Sequence, residues 1–125
     1  MIDIEVVNRS GAAVDEAGAA EVARRVLGAE GIEDGELGLS FVGAEEARAL
    51  KVEHLGIDET PDVLSFPLDG REDLPAGVPR QLGDVVLCPA IVGEDWRGPL
   101  VHGLLHLLGY DHGDEMAERE EALTA

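Results

Sequence analysis

Three of the four histidines fall within eleven residues, in the stretch Val101-His102-Gly103-Leu104-Leu105-His106-Leu107-Leu108-Gly109-Tyr110-Asp111-His112. On a helix, His102 and His106 stand one turn apart on one face, close enough to hold an ion between them. Gly109 is placed to end that helix. Glycine accepts the left-handed conformation that turns the chain back, and the reversal would bring His112 to the same ion. Three neutral imidazoles suit Zn²⁺, or another divalent transition metal such as nickel or copper, and leave a fourth tetrahedral position for water. An open position of this kind characterises catalytic rather than structural zinc, and the ion lowers the pKa of its water towards about 7. The spacing therefore predicts one Zn²⁺ per chain on His102, His106 and His112.

The spacing H-x-x-x-H-x-x-G-x-x-H also matches the metzincin metalloproteases, except that Gly103 stands where those enzymes place their glutamate base. A metalloprotease-like hydrolase is thus one alternative reading. The segment resembles more closely the YbeY family of metal-dependent endoribonucleases, whose signature H-G-x-L-H-L-x-G-Y-D-H is met from His102 to His112 at every specified position. The resemblance continues in Asp62-Val63-Leu64-Ser65-Phe66-Pro67, similar to the family's T-D-V-L-S-F-P, and in Leu82-Gly83-Asp84-Val85-Val86-Leu87, similar to its L-G-D-I segment. It implies a mixed, mostly parallel sheet with the metal in a cleft beside the strand Asp62 to Phe66. It further implies cleavage of single-stranded RNA, with roles in ribosomal RNA processing and ribosome quality control.

Three departures stand out. Pro61 replaces the family's threonine, removing a hydroxyl and a backbone donor. Leu55 occupies a position where many members carry an arginine thought to meet RNA. Only Pro89 to Gly98 separates the last strand from the histidine helix, where relatives have a longer connection with an additional helical stretch.

Other candidate residues have two readings each. Ser65 could hydrogen-bond a phosphate oxygen of the substrate or be an ordinary strand residue. Asp62 and Asp84 could orient a ligand histidine or a water, or only cap a turn. Asp111, between Tyr110 and His112, is a further candidate for orienting a ligand or acting as base, or for a structural role. The attacking group is open between water activated by the ion and the substrate's own 2′-hydroxyl. A non-catalytic reading, a metal-stabilised ribosome assembly factor, also fits.

The elements that must position these groups are legible in hydrophobic periodicity. Ile2 to Asn8 alternates as a strand, and Asp15 to Gly28 carries Ala19, Val22, Ala23, Val26 and Leu27 at helical spacing. Glu36 to Val42 alternates Leu37, Leu39 and Phe41; Ala44 to Leu55 returns to helical spacing and Gly56 closes it. Asp62 to Phe66 and Leu82 to Cys88 read as strands, joined by a Gly- and Pro-containing loop, Leu68 to Gln81, expected to form a mobile rim. Pro99 suits the first position of the histidine helix, whose leucines surround nearly its whole circumference and demand burial. The tail from Asp114 is expected to add a helix anchored by Met116 and Leu123. This order predicts an α+β or α/β sandwich: one small mixed sheet of about four strands packed with helices, the metal helix central.

The length, 125 residues with 45% hydrophobic content, fits one domain spanning residues 1–125. Cys88 is the only cysteine, which excludes an internal disulfide and points to a reduced, cytoplasmic setting and a small buried strand residue. The N-terminus lacks the basic start and apolar core of a signal peptide, and no apolar run approaches the ~20 residues of a membrane span. The net charge of −18, with nine Lys and Arg, opposes nucleic acid. Much of the acidity lies in Glu30 to Glu36 and Asp114 to Glu121, runs that could face away from a cleft. Weak autonomous RNA affinity follows, with the ion and a few cations engaging phosphate and a ribosome or ribosomal protein supplying the rest. So acidic a chain is expected to be monomeric.

Overall fold

The computed structural model describes residues 1–124. Four strands, β1 (Ile2–Asn8), β2 (Gly35–Phe41), β3 (Val63–Pro67) and β4 (Gln81–Leu87), form one open sheet in the order β1-β2-β4-β3. The first three in that order run parallel and β3 is antiparallel to β4, so the sheet is mixed and mostly parallel. Five helices accompany it: α1 (Glu16–Ala29), α2 (Ala44–Leu55), α3 (Pro89–Val92), α4 (Arg97–Leu107) and α5 (Asp114–Thr124). The fold is α+β, as the order of periodic segments implies.

The alternation of β2 sends Leu37, Leu39 and Phe41 to one face, where Val85 and Leu87 of β4 join them. Against that face pack Ala19, Val22, Ala23, Val26 and Leu27 of α1 and Leu100, Val101, Leu104 and Leu105 of α4. On the other face, Leu64 and Val86 meet Val42, Ala47 and Cys88, with Leu50 of α2 alongside. Both faces of β4 are therefore apolar, and the buried Cys88 follows its end. Helix α4 touches β3, β4, α1 and α5, and is central to the packing. His102 and His106 are half-buried, as are Gly98 and Pro99 in its first turn; Leu100, Val101, Gly103, Leu104, Leu105 and Leu107 are buried.

Boundaries differ from expectation where capping decides them. Asp15 precedes α1 as its N-cap, its carboxylate accepting from Gly18 N at 2.9 Å. Helix α4 begins at Arg97, two residues before Pro99, which still sits in the first turn where a missing N–H breaks no helical bond. The short connection holds one unexpected helical turn, α3, with Pro89 at its start. The loop before β4 is cross-braced internally, with Arg80 donating to Gly70 O at 2.7 Å and Glu72 O at 2.9 Å, and is joined to the end of α1 by Arg71 donating to Glu30 O at 2.8 Å. Gln81 N donates to the Asp69 carboxylate at 2.7 Å.

Candidate metal centre

The end of α4 does what the glycine spacing implies. Leu108 caps the helix and Gly109 follows at φ +96°. Tyr110 N donates to Leu105 O and Gly109 N to His106 O, both at 3.1 Å, the paired bonds of a Schellman reversal. The reversal carries His112 back beside the helix. Its ring centroid lies 5.2 Å from that of His102 and 4.7 Å from that of His106. One nitrogen from each of the three rings can be chosen so that all lie within 4.8 Å of one another.

The outer nitrogens of two rings are already engaged. Nδ1 of His102 lies 3.0 Å from Glu120 Oε2, and Nδ1 of His106 lies 3.0 Å from the Tyr110 carbonyl oxygen. A carboxylate and a carbonyl only accept, so both Nδ1 atoms carry a proton, and in the neutral rings both Nε2 atoms present lone pairs. Those two Nε2 atoms face each other at 3.1 Å. Two lone pairs so close repel unless a cation shares them, and donors on a tetrahedral zinc stand about 3.3 Å apart, so the donor set fits such an ion. Burial first, and then the neighbouring imidazoles, holds His106 below the ordinary histidine range, against the pull of the Tyr110 carbonyl. That favours the neutral ring a metal requires.

The histidines line an open cleft of ≈ 970 Å³ with β3, the end of α2 and the loop after β3. Asp62, Ser65 and Asp111 line it too. The Ser65 hydroxyl donates to Gly103 O at 2.9 Å, tying β3 to α4, and the Asp62 carboxylate accepts from Val63 N at 2.8 Å. Asp84 is not brought to the histidines. Its carboxylate lies over Gly38, in a separate groove with Glu5 and Glu36. Leu55 is at the cleft, 58% exposed, and one turn earlier Lys51 lines it with Nζ 2.9 Å from Glu59. Gly103 faces the sheet: a Cβ there would stand 2.8 Å from Val85 Cγ1 and 3.0 Å from Ser65 Oγ.

Two contributors escaped the sequence reading. Glu120 sits between Met116 and Leu123 on the buried stripe of α5, and a carboxylate on the apolar stripe of a polar helix was the available signal. Glu30, just past α1, gives none. Its side chain is only 4% exposed and is bound by the Tyr110 hydroxyl at 2.6 Å, Arg119 Nε at 2.9 Å and Arg71 at 3.1 Å. Burial pushes its pKa up, but the Tyr110 hydroxyl and the Arg119 and Arg71 charges outweigh it and hold the carboxyl below its ordinary value. The same contact, with burial second, raises the Tyr110 hydroxyl.

A carboxyl depressed by folding stabilises the fold fully above its unfolded pKa of about 4.3 and loses that contribution as pH falls through its lower folded value. Glu30→Gln should therefore cost about 1–3 kcal/mol at pH 7, since the arginine partners are partly exposed. Urea unfolding of both proteins should show the gap closing below about pH 4. A gap independent of pH would refute the assignment.

The chain matches the family model described as Endoribonuclease YbeY over residues 5–124. It is 40% identical over 147 residues to an "Endoribonuclease YbeY" of Acidothermus cellulolyticus, covering 98% of this chain and 90% of the relative. That alignment is longer than the chain, so the relative carries residues this one lacks. A Mycobacterium ulcerans protein of the same name is 36% identical over 136 residues, covering 95% and 76%. In three dimensions the chain resembles the solution structure of a Thermotoga maritima protein, with a TM-score of 0.59 and 27% identity over 99% of this chain and 87% of that one. On sequence and on fold together, the chain belongs to the Endoribonuclease YbeY family.

Proposed function

We propose that this chain is a metal-dependent endoribonuclease that hydrolyses single-stranded RNA, with His102, His106 and His112 holding one zinc ion. Ribosomal RNA is the substrate, the setting is cytoplasmic, and residues 1–125 act as one monomeric domain that meets RNA on the ribosome. The observation that carries the reading is the approach of two Nε2 atoms to 3.1 Å, each ring held from behind by an acceptor, with His112 completing a cluster of three imidazoles. When bound, the ion supplies Lewis acidity, polarising a phosphate oxygen or lowering the pKa of a water.

The protein's own groups bind and orient. β3 is the edge of the sheet and lines the cleft, so its side not paired with β4 can meet an extended strand. Lys51 and Arg71 are the cations of the cleft lining, able to meet phosphates flanking the scissile one. Each is already paired with a carboxylate, Glu59 or Glu30. Two such contacts predict a shallow salt dependence for binding, a slope of about −1.4 in log K against log salt. No helix among the described residues is long and apolar enough to cross a membrane.

The test uses a single-stranded ribosomal RNA fragment and protein stripped with a chelator, then reloaded with zinc, nickel or copper. Cleavage should vanish on stripping and return with the ion. RNA left uncut by protein that has taken up one ion would overturn the enzymatic reading. A 2′-deoxy substitution at the cleaved position then separates the routes: continued cleavage indicates water as nucleophile, and resistance with binding retained indicates the 2′-hydroxyl.

A further inference from the structure

We propose that Glu120 is a positioning residue of the metal centre: by accepting the Nδ1 proton of His102 it points that ring's Nε2 at the ion and couples docking of α5 to metal affinity. The proposal rests on the three-histidine site.

Helix α5 reaches the centre at two consecutive residues. Glu120 Oε2 meets His102 Nδ1 directly at 3.0 Å. Arg119 Nε donates to Glu30 at 2.9 Å, the Tyr110 hydroxyl donates to the same carboxylate at 2.6 Å, and the Tyr110 carbonyl accepts from His106 Nδ1 at 3.0 Å. Both helix-borne histidines thus receive their tautomer from groups that α5 supplies or braces. Apolar anchoring of α5 is slight: Met116 and Leu123 are its buried residues, helped by Arg25 donating to Leu123 O at 2.9 Å. A helix with so little apolar anchoring depends on its polar contacts to stay docked, and a ligand that needs its docked state must stabilise that state. A histidine whose outer nitrogen faces a carboxylate is also a more basic, better oriented ligand. Glu120 and the His102 ring are each about a third exposed or less, at 32% and 27%, so their contact alone adds little to the stability of the metal-free fold.

The experiment compares the full-length wild type with Glu120→Ala, Glu120→Gln and Glu121→Ala, the last removing the same charge from an exposed neighbour on α5. Zinc affinity is read by competition with a chromophoric chelator, and amide exchange of residues 114–124 is followed with and without zinc. Glu120→Ala should bind zinc about 10- to 100-fold more weakly. Glu120→Gln, which retains an acceptor, should fall between it and the wild type, and Glu121→Ala should match the wild type. Zinc should slow exchange across α5 in the wild type and do so less in Glu120→Ala, while the urea midpoints of the metal-free proteins coincide. Zinc affinity of Glu120→Ala within twofold of wild type, or an equal loss in Glu121→Ala, overturns the proposal. If the wild type itself takes up no zinc, the metal site fails and this inference falls with it, a result distinguishable from a tight wild-type site indifferent to Glu120.

Discussion

His106→Ala should empty the centre of metal and abolish RNA cleavage. Its Nε2 stands 3.1 Å from that of His102 and its ring is 4.7 Å from those of both other histidines, so its loss leaves two imidazoles 5.2 Å apart between ring centroids. Two neutral ligands without the third do not complete a tetrahedral set. Zinc per chain should fall from one to none, and cleavage by at least about 10³-fold, because the group that polarises the phosphate or activates water leaves with the ion. RNA binding should weaken too. The cleft lining holds Lys51 and Arg71 against Asp62, Asp69, Glu72, Asp111 and Glu120, so a bound ion would be its main attraction for phosphate. The Tyr110 carbonyl loses its donor, at a cost of about 1–3 kcal/mol, which leaves a folded protein for the comparison. Metal analysis and a cleavage assay at matched folded fraction check the result. A variant that keeps a full ion and cuts within tenfold of wild type would refute the ligand assignment.

What the sequence made legible follows from the range of the forces involved. Helix α4 and its reversal depend on neighbours within a turn or two, so the spacing of His102, His106 and Gly109 sufficed to bring His112 to the cleft. The alternation of Leu37, Leu39 and Phe41 likewise fixed the inner face of β2. Glu120 and Glu30 depend on where α5 and the end of α1 dock, 18 residues from His102 and 80 from Tyr110 along the chain, and no local pattern carries that. Asp84 was undecidable for a different reason: Val85 and Val86 on either face of β4 are both buried, so period-two reasoning could not say which face meets α4. The loop after β3 read as mobile from its glycines and prolines, while Arg71 and Arg80 tie it down through bonds that only the folded chain brings together.

Only part of the chain's acidity is placed away from the site. Glu33, Asp34 and Glu36 line a separate groove with Asp3 and Asp73, not the histidine cleft. Of the acidic residues in α5, Glu120 lines the cleft, where its charge faces an imidazole, and Asp114 and Glu115 line an adjoining pocket that shares His112. Glu30, formally part of the first acidic run, is buried and neutralised by two arginines. The residual negative field still slows the approach of RNA, which is why delivery on the ribosome belongs to the proposed function.

Gly103 decides how closely α4 approaches the sheet, and its substitution tests both packing and chemistry. In an ordinary helix interior, glycine to alanine gains about 1 kcal/mol. Here the added Cβ would stand 2.8 Å from Val85 Cγ1, 3.0 Å from Ser65 Oγ and 3.1 Å from Val63 Cγ2. Val85 is fully buried on an inner strand, and the Ser65 hydroxyl is held by its bond to Gly103 O, so neither can easily yield. Overpacking costs of about 1–3 kcal/mol exceed the propensity gain, and Gly103→Ala should lose net stability of roughly 1 kcal/mol. Gly103→Glu should lose about 4 kcal/mol or more, because it also drives a carboxylate between α4 and the sheet. Lifting α4 by even 1 Å displaces His102 and His106 from their partners, and misplacement of that size costs about 100-fold in rate. Restoring the metzincin glutamate should therefore create no peptidase, since the side chain would aim at β3 and β4 rather than at the ion. Urea unfolding, zinc affinity and a peptide assay on both variants are the measurements. An alanine variant at least as stable as wild type would mean that the α4 contact with the sheet is slack, and a glutamate variant that cuts peptide would return the protease reading to the histidine spacing.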